Sequence, residues 1–266
     1  MIEIDAQGWL EELLPKVTAL AREAGDAIMA VYAGDFAVDY KHDTSPLTEA
    51  DLASHHIIAQ GLALLTPNWP ILSEEAHPVS FDLRRSWRYF WMVDPLDGTK
   101  EFLSRNGEFT VNIALMDSSS PVLGVVFAPA IDQMYYAAKG LGAFKANKEG
   151  VIRIGAAEVG KGTLRVVVSR SHHSHDEDLD RFTSGIKNYE LLPVGSSLKF
   201  CMVADGSAHI YPRTGPTMEW DTAAAHCIVE EAGGSVTDLN EKPLRYNKAV
   251  LRNPAFVAKA VTRLQS

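Results

Sequence analysis

The chain of 266 residues is poor in cysteine, with only Cys201 and Cys227. Two cysteines cannot build the disulfide framework of a small secreted domain or a cysteine-rich metal site. We expect both to be buried, weakly polar fillers of a core in a reducing compartment. Positive charge is also scarce, since 25 Lys and Arg stand against 34 Asp and Glu and the formal net charge is −9. That balance argues against nucleic acid as a partner, because proteins that bind phosphate backbones usually present a basic face.

Long hydrophobic runs are missing as well. No apolar stretch approaches the roughly 20 residues of a membrane-spanning helix, and residues 1–7 lack the basic start of a signal peptide. We therefore expect a cytoplasmic protein with no integral membrane segment. Apolar residues make up 46% of the chain and the mean hydropathy is −0.06, so the chain can bury a substantial core. Disorder and fibrous repeats are excluded on the same composition.

Apolar spacing in the amino-terminal half predicts two helices and then a sheet. Helical periodicity covers residues 10–32, where Pro15 implies either a kink or a helix that starts close to it. A second helix is predicted from Thr48 to about residue 65, before Pro67. Strand patterns then indicate one largely antiparallel sheet, from residues 87–93, 109–116, 122–127 and 133–138.

The pattern changes after a predicted glycine-rich turn at residues 140–142 and a polar loop at 148–150. From there strands alternate with helices, which is typical of an α/β arrangement. The predicted strands are residues 164–168, 191–194 and 209–211, and the predicted helices are 176–182, 197–204 and 220–231. The change indicates two subdomains, residues 1–155 and 156–266.

The strongest local signal is the hexapeptide DPLDGT at residues 94–99, placed where an apolar strand ends. Mg²⁺ prefers several oxygen ligands in near-octahedral array, which Asp94 and Asp97 with a backbone carbonyl between them can supply. Gly98 would let a phosphate approach the backbone, and Thr99 adds a hydroxyl. For the hexapeptide alone, an ordinary turn in which Asp97 caps the next helix explains the residues equally well.

Three further acidic residues are candidates, and each also has an ordinary explanation. Glu74 follows a short apolar segment and could belong to a solvated loop. Asp221 lies in the first turn of a predicted helix, where the helix dipole favours acids. Asp51 stands three residues after Thr48 and resembles part of a capping box.

Together, the hexapeptide, Glu74 and the segments WDTAA at 220–224 and EEAGG at 230–234 resemble the two signatures of the inositol monophosphatase superfamily. Its members are Mg²⁺-dependent, lithium-sensitive phosphatases, and the resemblance follows nearly the whole chain in order. It implies a layered α/β (α+β) sandwich of alternating helix and sheet layers, with the metal site between the subdomains. The segments at residues 41–51, 100–102, 169–172, 195–201 and 211–213 are similar to the 3'(2'),5'-bisphosphate nucleotidase branch of the bacterial CysQ type.

The resemblance also implies residue roles. Two or three Mg²⁺ ions would be held by Glu74, Asp94, the Leu96 carbonyl, Asp97 and Asp221, and crowded carboxylates of this kind need cations to stay ionised. Asp51 and Thr99 would orient and deprotonate the attacking water. The substrate would be a nucleotide bisphosphate, 3'-phosphoadenosine 5'-phosphate of sulfate assimilation, giving AMP and phosphate. It would be contacted by Glu74, Gly98, Thr99, His172, Ser196, Lys199, Arg213 and Asp221.

Several alternatives stay open at the level of sequence. Ser196 could be a plain helix cap, Lys199 a surface cation and Arg213 part of an ordinary ion pair. An inositol or fructose phosphatase would share the metal site, and an acidic metal-binding module would need no turnover. Asp51 and Thr99 argue against such a module, because an ion binder needs no water-activating pair. A monomer or a homodimer, and peripheral association with the inner face of the cell membrane, are both compatible with the resemblance.

Overall fold

The structure is a computed structural model that describes residues 6–34, 38–40, 46–157, 162–170 and 188–260. Its helices are α1 (Ala6–Tyr32), α2 (Glu49–Leu65), α3 (Phe81–Arg84), α4 (Thr99–Leu103), α5 (Leu198–Ala204) and α6 (Trp220–Glu231). The helix predicted at 176–182 lies outside the described residues.

The strands within these described ranges form three sheets. Their bounds are β1 (Val38–Tyr40), β2 (Pro46–Thr48), β3 (Ile71–Ser73), β4 (Tyr89–Asp97), β5 (Thr110–Asp117), β6 (Ser120–Ala128), β7 (Gln133–Ala138), β8 (Gly142–Asn147), β9 (Gly150–Ile154), β10 (Leu164–Ser169), β11 (Tyr189–Val194), β12 (Ile210–Arg213), β13 (Ser235–Asp238) and β14 (Phe256–Lys259).

Helix α1 runs through Pro15 without ending, so the start close to Pro15 that the sequence left open is wrong. The helix begins nine residues earlier, and the carbonyl of Pro15 accepts a hydrogen bond from Thr18 Oγ1 at 2.9 Å. Its apolar face, which includes Leu14, Val17 and Ile28, is buried against α2 and the large sheet. Burial of that face compensates for the backbone hydrogen bond that proline cannot donate.

The large sheet has seven strands in the order β3-β4-β5-β6-β7-β8-β9, antiparallel throughout except for the parallel pair β3 and β4. The antiparallel sheet expected from four strand patterns is therefore confirmed and extended. Residues 142–147 and 150–154 form the hairpin of β8 and β9, where the sequence predicted only a turn and a loop. Their pattern is weak because β9 is an exposed edge strand that buries no apolar face.

Alternate side chains of β4 enter two different cores, as the twofold period of a strand requires. Trp91 and Val93 pack with α1 and α2, whereas Phe90 and Met92 pack with α5, α6 and the second sheet. The layers are thus a helix pair, the seven-stranded sheet, a second helix pair and the five-stranded sheet. This arrangement confirms the layered sandwich of alternating helices and sheets.

The second sheet has the order β11-β10-β12-β14-β13, with β10 parallel to both of its neighbours and the other pairs antiparallel. One hydrophobic core contains side chains from both large sheets, such as Met92 of β4 and Tyr211 of β12. The division into subdomains at residue 155 stays a prediction.

Two other expectations concern buried thiols and membranes. Cys201 and Cys227 are free and buried, as expected. Among the described residues, no helix has the length and apolarity needed to cross a membrane.

Candidate active site

The hexapeptide at residues 94–99 belongs to strand β4 up to Asp97, so it is not a turn that follows the strand. The pairing of β4 with β5 shifts register between Asp94 and Asp97, which marks a bulge, and bulges redirect side chains beside functional sites. The Asp94 carboxylate accepts a hydrogen bond from the Leu96 backbone amide at 3.1 Å. Gly98 is the N-cap residue of α4, with a φ of 89°, and no side chain caps the helix, so the alternative in which Asp97 caps it is wrong.

Three carboxylates from three separate segments meet beside this bulge. Each of Glu74, Asp94 and Asp221 offers an oxygen, and these oxygens all lie within 4.8 Å of one another. Glu74 follows β3, whose last residue pairs with Val93, so the parallel pairing of β3 and β4 brings Glu74 next to Asp94. The Glu74 amide donates to the Val93 carbonyl at 3.1 Å and fixes this register.

Helix α6 brings the third carboxylate, Asp221, from 127 residues further along the chain than Asp94. The helix lies so close to the sheet that a Cβ added at Gly124 of β6 would stand 2.1 Å from the Ala224 carbonyl oxygen. The Asp221 carboxylate accepts a hydrogen bond from the Met218 amide at 2.9 Å. Glycine at position 124 therefore permits the approach that carries Asp221 into the cluster.

The cluster fits a divalent cation. Burial, together with the charges of Asp97 and Glu74, raises the pKa of Asp221 well above its ordinary range. Repulsion of this kind disappears when a cation lies among the carboxylates, and carboxylate oxygens are the ligands that hard divalent cations prefer. Three of the four predicted carboxylate ligands thus come together.

The fourth predicted ligand, Asp97, lines the same cleft but lies outside the group of three. Burial raises its pKa, against the opposing effects of the Lys199 charge and of hydrogen bonds from Ser197. Its carboxylate accepts from the Ser197 hydroxyl at 2.9 Å. Asp97 is therefore positioned by the segment after β11, and not by its neighbours in the hexapeptide.

Asp51 completes the capping box that its spacing from Thr48 predicts. Its Oδ2 accepts from the Thr48 amide at 2.8 Å and from the Thr48 hydroxyl at 2.6 Å, while the Ala50 amide donates to that hydroxyl at 3.2 Å. One turn later, Ser54 donates to the Pro95 carbonyl at 2.7 Å and ties α2 to the hexapeptide. Strand β2, which ends at Thr48, also packs against α4, whose first residue is Thr99.

The cluster opens into a cleft of about 340 Å³. Asp51 is buried and is not among the residues that line the cleft, and His172 lies outside the described residues. The predicted site residues that line the cleft are Glu74, Asp94, Leu96, Asp97, Gly98, Thr99, Ser196, Lys199, Arg213 and Asp221.

Two cations also line the cleft, and we refer to them as its cationic side. Lys199 is buried, donates to the Ser196 carbonyl at 2.5 Å, and has its pKa lowered to about 8 by that burial. Arg213 donates to the Pro216 carbonyl at 3.3 Å, and its buried Nε has no hydrogen-bond partner among the described residues. A buried donor without a partner is costly, so this side of the cleft is suited to an anion.

Sequence reasoning missed part of the supporting framework. The sequence predicted Ser197 only as the start of a helix, and Glu219 only as an acid at a helix start. The Glu219 carboxylate is fully buried and accepts from the Asn247 amide at 2.5 Å and from the Lys248 amide at 3.0 Å. It thus joins the start of α6 to the loop at 245–253. No local pattern indicates a partner 28 residues away.

Comparison with known proteins agrees with this geometry. A sequence model of the inositol monophosphatase family matches residues 9–265. The chain is 49% identical to the 3'(2'),5'-bisphosphate nucleotidases CysQ of Salmonella typhimurium and of Escherichia coli K12, covering 92% of this chain and 98% of each relative. It also resembles the crystal structure of CysQ from Bacteroides thetaiotaomicron, with a TM-score of 0.81, 38% identity, and coverage of 98% of this chain and 99% of the other.

Proposed function

The chain belongs to the inositol monophosphatase family, and we propose that it is a metal-dependent phosphatase that removes the 3'-phosphate of 3'-phosphoadenosine 5'-phosphate, giving AMP and phosphate. The observation that carries this proposal is that one cleft contains both the three-carboxylate cluster and two cations, Lys199 and Arg213. Relatives 49% identical to the chain are named as 3'(2'),5'-bisphosphate nucleotidases, which supports a substrate with two phosphates.

We infer that the cation is Mg²⁺, with two or three ions per site. Glu74, Asp94 and Asp221 would hold it, and Asp97 and the Leu96 carbonyl would complete the set of oxygen ligands. When bound, Mg²⁺ acts as a Lewis acid on the phosphoryl oxygens and favours ionisation of water at neutral pH.

Asp51 and Thr99 act on the attacking water. The contact between β2 and α4 supports this pairing, because β2 ends at Thr48, the N-cap of α2, and α4 begins at Thr99. Asp51 accepts the proton of the water, and the Thr99 hydroxyl orients it for in-line attack on the 3'-phosphorus. The bond from phosphorus to the ribose 3'-oxygen then breaks, and the 3'-oxygen takes up a proton from solvent water to give the 3'-hydroxyl of AMP, without a phosphoenzyme intermediate.

Lys199 and Arg213 bind the second, 5'-phosphate of the substrate. Both are cations held by backbone carbonyls, and a doubly charged phosphate gives their remaining donors partners. Gly98 and Ser196 also line the cleft and contact the substrate there. His172 contacts the nucleotide in this proposal.

The test is phosphate release in the presence of Mg²⁺, with EDTA as the control. The measured quantity is kcat/KM for 3'-phosphoadenosine 5'-phosphate, inositol 1-phosphate and fructose 1,6-bisphosphate. We expect preference for the nucleotide. Preference for inositol 1-phosphate or fructose 1,6-bisphosphate would retain the metal chemistry and overturn the substrate, and release from none of the three would leave only a metal-binding module.

A further inference from the structure

A buried chain of hydrogen bonds reaches the acidic side of the cleft from strand β5. Thr110 Oγ1 donates to Asn112 Oδ1 at 3.0 Å, and Asn112 Nδ2 donates to Ser197 Oγ at 2.9 Å. Ser197 Oγ lies 2.9 Å from Asp97 Oδ2 and 2.7 Å from the Asp221 carbonyl oxygen. Thr110, Asn112 and Ser197 are at most 2% exposed. One hydroxyl therefore joins a strand, the hexapeptide and the first turn of α6.

The direction of this chain follows from the chemistry of its last member. A carboxylate only accepts hydrogen bonds, so the Asn112 group that lies 3.4 Å from Asp97 Oδ2 must be the amide nitrogen. The Asn112 oxygen then faces away and accepts from Thr110. Because Ser197 Oγ already accepts from Asn112, its own proton is directed to Asp97 and the Asp221 carbonyl.

We propose that Ser197 is a positioning residue for metal binding, whose hydroxyl fixes Asp97 and the Asp221 segment relative to each other. Both side-chain donors reach Oδ2 of Asp97 and so fix the orientation of that carboxylate. The bond to the Asp221 carbonyl holds the start of α6 to the same hydroxyl. The inference rests on the proposed metal-dependent function and adds residues outside the ligand set to it.

The test measures Mg²⁺ affinity directly, by calorimetric titration of metal-free protein, together with the Mg²⁺ dependence of kcat. Ser197→Ala should weaken Mg²⁺ binding about 10- to 100-fold, the range for partners that orient a metal ligand. The Mg²⁺ concentration for half-maximal rate should rise by a similar factor, while kcat at saturating Mg²⁺ recovers to within a few-fold. Ser197→Thr keeps the hydroxyl and should retain affinity close to that of the unaltered protein.

A matched control separates positioning from folding. Thr66 donates to the Leu62 carbonyl and accepts from Trp91 Nε1. Trp91 lies near the start of β4, whereas Asp97 is the last residue of that strand. Thr66→Val should lower the unfolding temperature and leave Mg²⁺ affinity unchanged. Unchanged Mg²⁺ affinity in Ser197→Ala would overturn the proposal.

If Ser197→Ala does not fold, Thr110→Val decides the question. This variant removes the first donor of the chain at nearly constant volume and should weaken Mg²⁺ binding in the same direction, by a smaller factor. Unchanged affinity in Thr110→Val would then overturn the proposal. If the variants weaken Mg²⁺ binding as expected but the unaltered protein does not hydrolyse the nucleotide, the proposed substrate is wrong and the positioning role of Ser197 stands.

Discussion

The two sides of the cleft are held in place in different ways. On the acidic side, Asp94, Asp97 and Asp221 each accept a hydrogen bond from a backbone amide or a buried hydroxyl. On the cationic side, Lys199 and Arg213 each donate to a backbone carbonyl near to them in sequence, and the Arg213 Nε finds no partner in the part of the chain that the structure describes. The acidic side is therefore built from several distant segments, and the cationic side from two local ones.

Because of this difference, the carboxylates and the two cations have different requirements for a ligand. Donors surround the carboxylates and fix their orientation, but their mutual repulsion stays until a cation is bound. Burial lowers the pKa of Lys199, and an anion in the cleft would offset the cost of that burial. A protein of net charge −9 can thus bind a bisphosphate, because the local charges and not the total decide the interaction.

The largest effect should come from breaking the acidic side. Asp94→Asn removes a ligand charge from the cluster, so we expect Mg²⁺ binding and turnover to fall together by more than about 100-fold, beyond the loss caused by an outer partner. Titration calorimetry and kcat/KM measure the two quantities. Asp117→Asn, at the end of the neighbouring strand β5, is the matched control. A near-normal kcat in Asp94→Asn would refute the ligand role.

A change at Asp51 should lower the rate without lowering the Mg²⁺ affinity. Asp51→Asn should retain Mg²⁺ affinity and lose kcat by about 100- to 10,000-fold, the usual contribution of a general base. The free energy of unfolding should fall by no more than about 1 kcal/mol, because asparagine can still accept from the Thr48 amide. Loss of Mg²⁺ affinity would instead assign Asp51 to the ligand set.

On the cationic side, Lys199→Met should raise KM for the bisphosphate about 10- to 100-fold, the value of a charged hydrogen bond. Burial lowers the pKa of Lys199 to about 8, so the side chain is charged below that pH and neutral above it. KM should therefore rise as pH increases through about 8, and Lys199→Met should abolish that rise. If Lys199→Met leaves KM unchanged, Lys199 does not bind the substrate.

The smallest effect should follow from removing the Arg170 side chain, which orients Glu108 beside the segment that precedes Ser196. Arg170 donates two hydrogen bonds to Glu108, at 2.7 and 2.6 Å, and Glu108 accepts from the Gly195 amide just before Ser196. Since the Arg170 side chain is 43% exposed, Arg170→Ala should cost at most about 1 kcal/mol in urea unfolding. KM should rise a few-fold. Arg88→Ala, which breaks a looser pair with Asp117, should change neither quantity.

Local patterns were sufficient where one short segment decides the structure. The capping box of Thr48 and Asp51 and the bounds of α6 at residues 220–231 both match the sequence-based expectation. Patterns failed for the edge strand β9, whose side chains face solvent, and for the bulge that carries β4 through Asp94 to Asp97. Edge strands and bulges lack the apolar alternation on which strand prediction depends.

The sequence by itself determined the residue types, the order of the family motifs and the helical and strand periodicities, because these depend on neighbours along the chain. Only the tertiary structure decided which carboxylates converge and what orients them. Asp97 is held by Ser197, 100 residues away, and Ser197 by Asn112, 85 residues away. Such contacts exist only after two sheets and their helices have packed around a common core, so no local spacing encodes them.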